Sequence, residues 1–382
     1  MSSKHLSNET EVNNNINSSP EESFHYDKTR YNDVVSSFSS NGSTRNTIEK
    51  PETRIVWKNV ILMSILHLAA FYGFWITLTT AKWQSVIAVH LLGLASSIGV
   101  QAGAHRLWSH RSYKAKWQLR IILAMLQTMA LQNDIYEWCR DHRVHHKHSE
   151  TDADPHNSKR GFFFSHMGWL MVKKHPHVIS KGKQIDLTDL INDPIVRYQR
   201  KFYIPLVILF WAIIPTLIPY YLCGETLWNS FFLCVPFRYL VVLHNTWLVN
   251  SAAHMWGSKP YDNSIEPREC VVRYILHGEG YHNYHHTFPC DYSASEHGWM
   301  INFNTATMFI DLFAKIGWAY DLKKVDHKTI INRQMRTGNQ DDISYNINYL
   351  KRVDGLLDNL KGVAIAFYPI WLTFFGRCFI KG

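Results

Sequence analysis

The stretch His142-Arg-Val-His-His146 has a counterpart of the same form 140 residues later, His282-Asn-Tyr-His-His286. In each stretch three histidines stand at positions i, i+3 and i+4, which share one face of a helix. Imidazole is the commonest metal ligand in proteins, and chance does not account for two such repeats. The two stretches therefore predict two helices whose histidine faces meet at a metal site.

A third cluster, His105-Arg-Leu-Trp-Ser-His110, lies upstream of both. Its two histidines are five residues apart, about 140° around an ideal helix. Both can bind one metal only if the helix bends; otherwise they approach different metals. Asn250 and His254 are four residues apart and share a helix face. The ten candidate ligands are His105, His110, His142, His145, His146, Asn250, His254, His282, His285 and His286.

Ten ligand positions suit two metal ions, and the ligand chemistry favours iron. Zinc rarely takes more than four ligands, whereas calcium and magnesium prefer oxygen. A nitrogen-rich site suits redox-active iron that reacts with O₂. The chain has no G-x-G-x-x-G after a predicted strand and no P-loop. We therefore expect no bound NAD or flavin, and electrons must come from a separate protein.

Long uncharged runs predict four membrane-spanning helices. The runs that follow Lys58, Lys82 and Lys201 each contain 23 residues without Lys, Arg, Asp or Glu. About 20 residues are enough to cross a hydrocarbon core of ~30 Å. A fourth run is interrupted only by Arg238. The predicted spans are about 55–81, 83–105, 202–222 and 226–253.

The basic residues predict the orientation of these spans. Residues 106–201 contain 17 Lys or Arg, whereas the turns near Lys82 and Glu225 contain one and none. The positive-inside rule then places this loop, all three histidine clusters and both termini in the cytosol. The net charge of +9 follows from this bias, and part of it suits an anionic substrate or membrane lipid. We expect no nucleic-acid partner.

The sequence thus predicts an all-α membrane protein with four transmembrane helices under a cytosolic helical cap. Residues 106–201 and 254–335 form this cap, which carries the histidine-rich di-metal site. Residues 51–340 make up the principal domain. A polar tail, residues 1–50, is rich in Ser, Asn and Glu and is expected to be disordered.

Residues 341–382 form a C-terminal tail that contains an apolar run at 362–376. The run is short for a membrane span and is interrupted by Pro369, so we expect an interfacial or disordered segment. The alternative is a fifth span, which would place Gly382 in the lumen.

Over about residues 50–340 the sequence resembles the integral-membrane acyl-CoA desaturases of the animal stearoyl-CoA desaturase type. The motifs that carry the resemblance are Gly103-Ala-His-Arg-Leu-Trp-Ser-His110, Gln132-Asn-Asp-Ile-Tyr-Glu-Trp138, Arg140-Asp-His-Arg-Val-His-His146, Glu150-Thr-Asp-Ala-Asp-Pro-His-Asn157, Gly161-Phe-Phe-Phe-Ser-His166, Thr246-Trp-Leu-Val-Asn-Ser-Ala-Ala-His254 and Gly278-Glu-Gly-Tyr-His-Asn-Tyr-His-His286.

The resemblance implies a fatty acyl-CoA desaturase of the endoplasmic reticulum that inserts a double bond, with Δ9 expected before Δ11. It implies a di-iron centre that uses O₂ and electrons from cytochrome b5 and its NADH-dependent reductase. One iron would be held by His105, His110, His142, His146 and His285. The other would be held by His145, His254, His282 and His286, with Asn250 acting through a water.

The resemblance also implies contacts with the substrate. Those near the CoA moiety are Asn133, Arg140, Asp141, Lys173 and Lys174. Asn59 and Trp247 would line the entrance for the acyl chain. Arg and Lys suit the phosphates of CoA.

Gly93 and Ser97 stand two to three helical turns before His105, on one helix face. They mark either the far end of an acyl tunnel or a close contact between membrane helices, which also favours small residues.

Two other functions use the same residues. One is a fatty acyl hydroxylase or acetylenase on the same scaffold, which analysis of the products would distinguish. The other is a non-catalytic metal-binding membrane protein, which iron content together with turnover would distinguish.

Overall fold

The computed structural model describes residues 53–344 and 355–381. The tail expected to be disordered, residues 1–50, lies outside the described residues. In chain order the helices are α1 (Trp57–Thr79), α2 (Trp83–Ser109), α3 (Trp117–Ala130), α4 (Ile135–His148), α5 (Phe162–His166), α6 (Pro176–Gly182), α7 (Thr188–Asn192), α8 (Pro194–Lys201), α9 (Tyr203–Cys223), α10 (Leu227–Met255), α11 (His282–Thr287), α12 (Thr305–Lys315), α13 (His327–Thr337), α14 (Gly355–Ala366) and α15 (Tyr368–Lys381).

Four of the described helices, α1, α2, α9 and α10, are each long and apolar enough to cross a membrane. Only 22% of the apolar window of α1 and 11% of that of α9 is buried, against 44% for α2 and 50% for α10. Ile61, Leu68 and Leu222 are 56%, 70% and 80% exposed. Apolar faces of this extent suit lipid rather than water. Helices α1 and α9 therefore lie outside, and α2 and α10 form the inner part of the bundle.

Both connecting turns of the bundle lie at one end. The backbone N–H of Lys82, between α1 and α2, donates to Oε2 of Glu225 at 2.8 Å. The ammonium of Lys82 donates to the carbonyl oxygen of Gly224, between α9 and α10, at 2.5 Å. We call this the turn end. The last turns of α2 and α10, with their histidines, lie at the opposite end, which we call the histidine end.

A helical cap covers the histidine end. Its apolar core joins α3, α4 and α12 to α2, through the fully buried side chains of Leu123, Ile135 and Ile310. Helix α3, which contains most of an uncharged run of 13 residues between Arg120 and Asp134, therefore lies within the cap. A Cβ at Gly99 would lie 2.3 Å from the backbone nitrogen of Gln127, so the close approach of α2 to α3 requires glycine.

The cap also contains a minimal antiparallel sheet. Strand β1 (Lys114–Ala115) pairs with β2 (Ala319–Tyr320), and this pairing joins the part of the cap that follows α2 to the part that follows α10. Short 3₁₀ turns lie at Ser158–Arg160, Gly168–Met171 and Val271–Tyr274. Apart from this two-residue ladder, the predicted all-α membrane fold with four spanning helices is confirmed.

The C-terminal segment is helical, so its disordered form is wrong, while the interfacial segment and the fifth span stay predictions. The run at 362–376 lies within α14 and α15, which meet at an angle of 56°. Helix α15 packs on α1 and on α2. Pro369 accounts for the break, because proline removes an N–H and disfavours helical geometry at the residue before it. In the described residues this segment is therefore an ordered part of the helical bundle.

Candidate metal centre

Nine imidazoles form two groups at the histidine end. Within each group, one ring nitrogen from every histidine lies within 4.8 Å of the others. The five-histidine group consists of His105, His110, His142, His146 and His285. The four-histidine group consists of His145, His254, His282 and His286. In membership they coincide with the two ligand sets that the resemblance implied.

Helix α4 contributes to both groups, and its position is fixed at its first turn. The side chain of Asp134 accepts a hydrogen bond from the backbone N–H of Glu137 at 3.0 Å, which caps the helix. Two turns later, His142 and His146 face the five-histidine group, while His145 faces the other. The rings of His146 and His286, one from each group, stack with centroids 4.0 Å apart. The two groups are therefore immediate neighbours.

The Nε2 atoms of the rings point at one another. Those of His105 and His285 are 2.9 Å apart. The corresponding distance between His254 and His282 is also 2.9 Å. Each pair spans separate helices, so the contacts join α2 and α10 to α11.

Three buried carboxylates hold the other ring nitrogen. Nδ1 of His105 lies 3.2 Å from Glu279, and Nδ1 of His145 lies 2.9 Å from Asp154. The third contact joins Nδ1 of His254 to Oε1 of Glu150 at 2.8 Å. A carboxylate keeps a proton on Nδ1 and so leaves Nε2 as a lone pair. This arrangement of a carboxylate behind a histidine is typical of metal sites.

Glu279 stays ionised behind His105. Burial alone would favour its neutral form, but the charge of Arg106 and the hydrogen bond with His105 lower the pKa of Glu279 to about 2. Arg106 donates to Oε1 of Glu279 at 2.6 Å and is itself almost fully buried. The carboxylate therefore neutralises a buried guanidinium and orients an imidazole at once.

Most of the remaining imidazoles are neutral. Burial, reinforced by neighbouring imidazoles, lowers the pKa of six of them well below the ordinary value; these are His110, His142, His146, His282, His285 and His286. His145 differs, because the adjacent Asp154 outweighs burial and raises its pKa. Neutral imidazole is the form that binds metal.

This donor set fits two transition-metal ions. With their protons held at Nδ1, His105 and His254 each direct a lone pair at a facing ring nitrogen. Lone pairs at this distance repel one another unless a proton or a cation lies between them. An ion about 2 Å from each nitrogen removes the repulsion, and nitrogen-rich sites suit iron.

Asn250 lies beside both groups without being part of either. It lines a cavity together with His142 and His282, and it also lines the next cavity toward the surface. We call these the metal-side cavity and the entrance cavity.

The entrance cavity has a volume of about 460 Å³. It is lined by Asn59, Asn133 and Trp247, three of the residues that the resemblance implied for the substrate. The amide of Asn59 donates to the carbonyl oxygen of Leu170 at 2.7 Å, which ties α1 to the cap at this opening. Trp247 is 3% exposed, so it forms part of a preformed wall.

A basic pocket opens beside the entrance cavity. It is lined by Arg140, Asp141 and Lys174, and Asp141 belongs to both. Arg140 pairs with Glu137 and Asp141, and Lys174 also pairs with Asp141. Lys173 is exposed and lines neither space. The structure thus brings together all the predicted substrate residues except Lys173.

An inner cavity continues past the two histidine groups toward the turn end. It is lined by Gly93, and it shares Ser97 with the metal-side cavity. The remainder of its lining is mainly apolar, including Val86, Val89 and Val242. The small residues Gly93 and Ser97 therefore face open space.

The sequence motifs contained functional residues that pattern reasoning missed. Glu150, Asp154 and Glu279 lie in the motifs of the three histidine clusters and the segments between them. No spacing rule connects Glu150 to His254, 104 residues later, Asp154 to His145, nine residues earlier, or Glu279 to His105, 174 residues earlier. The available signal was a carboxylate within a motif that belongs to a buried site. A buried carboxylate needs a partner, and the histidines were the available partners.

Comparisons with known proteins agree with this geometry. The family model described as fatty acid desaturase matches residues 81–297. Stearoyl-CoA desaturase 5 of Bos taurus is 55% identical over 296 residues, which cover 76% of this chain and 88% of the relative. Acyl-CoA Delta-9 desaturase of Acheta domesticus is 58% identical over 287 residues, which cover 75% and 79%. Stearoyl-CoA desaturase of Homo sapiens is 55% identical over 290 residues, which cover 75% and 80%. With this match over more than half of its length, the chain belongs to the fatty acid desaturase family.

Proposed function

We propose that this protein is an acyl-CoA desaturase that inserts a double bond into a fatty acyl chain at a di-iron centre. The observation that carries the proposal is the pair of histidine groups beside a continuous series of cavities. The names of the relatives, which are acyl-CoA and stearoyl-CoA desaturases, support the same reaction.

The five-histidine group would hold one iron and the four-histidine group the other. Asn250 would act on the second iron through a water. When bound, two iron ions supply the one-electron redox chemistry by which O₂ is reduced and hydrogen is taken from a methylene chain. Glu150, Asp154 and Glu279 keep the histidine rings in orientation for this role.

The cavities give the substrate a path. The CoA phosphates would lie at the basic pocket, where Arg140 and Lys174 supply positive charge. The acyl chain would enter between Asn59 and Trp247 and pass the histidine groups into the inner cavity. Because the methylenes are chemically alike, the carbon pair that reacts is selected by position along this path. The relative named a Delta-9 desaturase supports Δ9, with Δ11 as the alternative.

The reaction needs two electrons from outside the protein. O₂, two hydrogens from the substrate, two electrons and two protons give two molecules of water and one carbon–carbon double bond. We propose cytochrome b5, reduced by its NADH-dependent reductase, as the donor. The chain contains no dinucleotide-binding motif.

We propose the endoplasmic reticulum membrane as the location, with the cap and the N terminus in the cytosol. The excess of Lys and Arg in the cap supports this orientation, and so does the need of CoA and cytochrome b5 for access from that side.

Expression in a yeast that lacks its own desaturase tests the proposal. The wild-type protein should restore unsaturated fatty acids, and mapping of double-bond positions by mass spectrometry should give one position. Hydroxylated or acetylenic products would replace this function with the related reaction, and an iron-loaded protein without turnover would leave a metal-binding role.

A further inference from the structure

The first anchor of the C-terminal helix pair lies at the histidine end. Asp358 in α14 is 1% exposed. It accepts a hydrogen bond from the hydroxyl of Tyr274 and another from the backbone N–H of Phe303 at 3.0 Å. A Cβ added to Gly362 would lie 2.1 Å from Cγ of Phe303. Helix α14 therefore packs closely against the cap.

The second anchor lies at the turn end. Arg377 in α15 donates to the carbonyl oxygen of Thr77 at 2.7 Å and to that of Ala81 at 2.6 Å. Its guanidinium lies 4.4 Å from the centroid of Trp83. Thr77 lies in the last turn of α1, Ala81 lies in the turn that follows it, and Trp83 is the first residue of α2. A cation is stabilised at the C-terminal end of a helix.

The distance between the anchors matches the thickness of a membrane. Asp358 and Arg377 are 19 positions apart, about 28 Å along the helices at a rise of ~1.5 Å per residue, and the 56° bend shortens the straight distance to about 25 Å, close to the ~30 Å of a hydrocarbon core. Along α2, Gln101 contacts the carbonyl oxygen of Leu276 in the cap at 3.0 Å, and Ala81 lies 20 residues before it. The helix pair thus extends between the histidine end and the turn end, as α2 does, but its chain runs in the opposite direction.

The same helix pair lines the inner cavity. Ala366 and Thr373 are 3% and 1% exposed and line it together with Val89 and Gly93 of α2. At the break between the helices, the ring of Phe367 packs on that of His90 with centroids 4.4 Å apart. The break therefore lies against the inner face of α2.

We propose that α14 and α15 form a fifth, broken membrane span that closes the far end of the acyl cavity and limits the length of the acyl chain. The span places Lys381 on the side of the membrane opposite the cap, which replaces the expectation that both termini face the cytosol. The pair lies beyond residues 81–297, which the family model matches. The role in chain length rests on the proposed function, whereas the crossing of the membrane does not.

The crossing is tested with the native thiols of the whole protein in sealed microsomes. Cys290 lies exposed in the cap and Cys378 lies exposed beside Arg377. In a Cys223→Ser background, a membrane-impermeant maleimide should label Cys290 at once and Cys378 only after the membrane is permeabilised. Labelling of Cys378 in sealed vesicles to the same extent as Cys290 would overturn the fifth span.

A glycosylation acceptor gives an independent reading of the same crossing. A protein extended after Gly382 by a flexible Gly/Ser linker and an Asn-Gly-Thr acceptor should be glycosylated. Its mass should increase, and an endoglycosidase should reverse the increase. The same extension before Met1 should not be glycosylated. An unmodified C-terminal acceptor, together with early labelling of Cys378, would place α15 on the cytosolic side.

Substitutions in α15 test the role in chain length. Thr373→Phe should shift the products toward shorter acyl chains, and Thr373→Ala should shift them toward longer ones. Thr373→Val keeps the volume and should leave the profile unaltered, as should Leu372→Ala on the exposed face of the same helix. If Thr373→Phe does not fold, the shift in Thr373→Ala, which introduces no clash, decides the question.

Active Thr373→Phe and Thr373→Ala variants with an unaltered chain-length profile would overturn the proposal that α15 closes the far end of the acyl cavity. Failure of the proposed function looks different, because the wild-type protein would then form no double bond at all. The thiol and glycosylation readings remain valid in that case.

Discussion

The backbone N–H of His110 donates to the carbonyl oxygen of His105, five residues earlier, at 3.1 Å. This bond belongs to a π-helical segment, Gly99–Ser109, at the end of α2. In a π-helix, residues five apart come one above the other, and such segments often occur at functional sites. The two rings lie 4.9 Å apart and join the same histidine group. A local widening of the helix therefore brings both histidines to one metal position.

We expect the loss of any one imidazole at eight of the nine positions in the two histidine groups to abolish desaturation. The positions are His105, His142, His145, His146, His254, His282, His285 and His286. Changes behind a ligand cost about 10–100-fold in metal affinity or activity, so replacement of the ligand itself by Ala should exceed that range. Unsaturated fatty acids and bound iron are both measured in the yeast strain. His327→Ala, with a side chain 75% exposed, is the matched control. Normal product from two or more of the eight variants would end the di-iron assignment.

Two of the histidine clusters were predictable because they obey ideal helix geometry. The spacing of His142, His145 and His146 puts them on one face of any α-helix, and the structure places them so. The cluster at His105 and His110 was not predictable in the same way. Its spacing left open a bend or two separate metals, and no spacing rule specifies the π-helical hydrogen bonds that resolve this.

The C-terminal segment shows a second limit of sequence reasoning. Length and Pro369 argued against a span when the run was taken alone. Its order comes from partners far away in the chain, namely Tyr274 and Phe303 at one end and Thr77 at the other. Local composition does not contain these contacts. The four uninterrupted spans were predictable because their length and hydropathy suffice by themselves.

The carboxylates behind the histidines give a second prediction. Glu150→Gln and Asp154→Asn keep the shape of each side chain but remove the charge that holds a proton on Nδ1 of His254 or His145. Iron affinity should fall by about 10–100-fold, measured as the iron retained against a graded series of chelator concentrations. Asp321→Asn, which breaks the exposed pair with Lys114, should retain iron as the wild type does. Unchanged iron retention in both variants would show that these carboxylates serve folding alone.

The two neighbouring lysines should contribute unequally to substrate binding. Lys174 lines the basic pocket and pairs with Asp141, whereas Lys173 does not line it. The double change of Lys173 and Lys174 to Glu should raise the KM for acyl-CoA without loss of iron, and Lys174→Glu alone should account for most of the effect. Breaking a buried charge contact with a ligand costs roughly 2–5 kcal/mol, and this partly exposed site should cost less.

Lys315→Glu, an exposed change elsewhere in the cap, controls for the altered net charge. Equal KM values for the Lys174 variant and the wild type would mean that these lysines only orient the protein in the membrane.

A buried carboxyl in the cap predicts a dependence of stability on pH. Burial raises the pKa of Glu269 to about 8, although the backbone N–H of Tyr284 donates to its Oε1 at 2.8 Å. The folded state therefore binds a proton that the unfolded state releases near its ordinary pKa of about 4.3. The contribution of this proton to the free energy of unfolding is complete below a pH of about 4.3. It is lost progressively as the pH rises from there through about 8.

Glu269→Gln, which is neutral at every pH, should therefore raise the melting temperature at pH 8 and change it little at pH 5. Thermal unfolding of the detergent-solubilised protein at the two pH values measures the difference. Glu266→Gln, three residues away at a partly exposed position, is the control. An equal change at both pH values would show that the side chain of Glu269 is ionised in the folded protein.

The inner cavity predicts how Gly93 and Ser97 affect the products. A Cβ added to Gly93 would meet Val242 at 3.7 Å and Arg238 at 3.8 Å, which are ordinary contacts. Close helix packing therefore does not require glycine here, in contrast to Gly99, where an added Cβ would meet backbone at 2.3 Å. Gly93→Ala should leave the protein stable, with a small effect on chain length. Gly93→Tyr and Ser97→Leu should fill the cavity and shift the products to shorter chains while activity is retained.

Gly99→Ala supplies the contrasting outcome, because overpacking between α2 and α3 should lower the amount of folded protein at any chain length. The chain lengths of the unsaturated products and the yield of folded protein are measured together for all four variants. Gly93→Tyr and Ser97→Leu proteins that are merely unstable, with an unaltered chain-length profile, would assign both residues to helix packing.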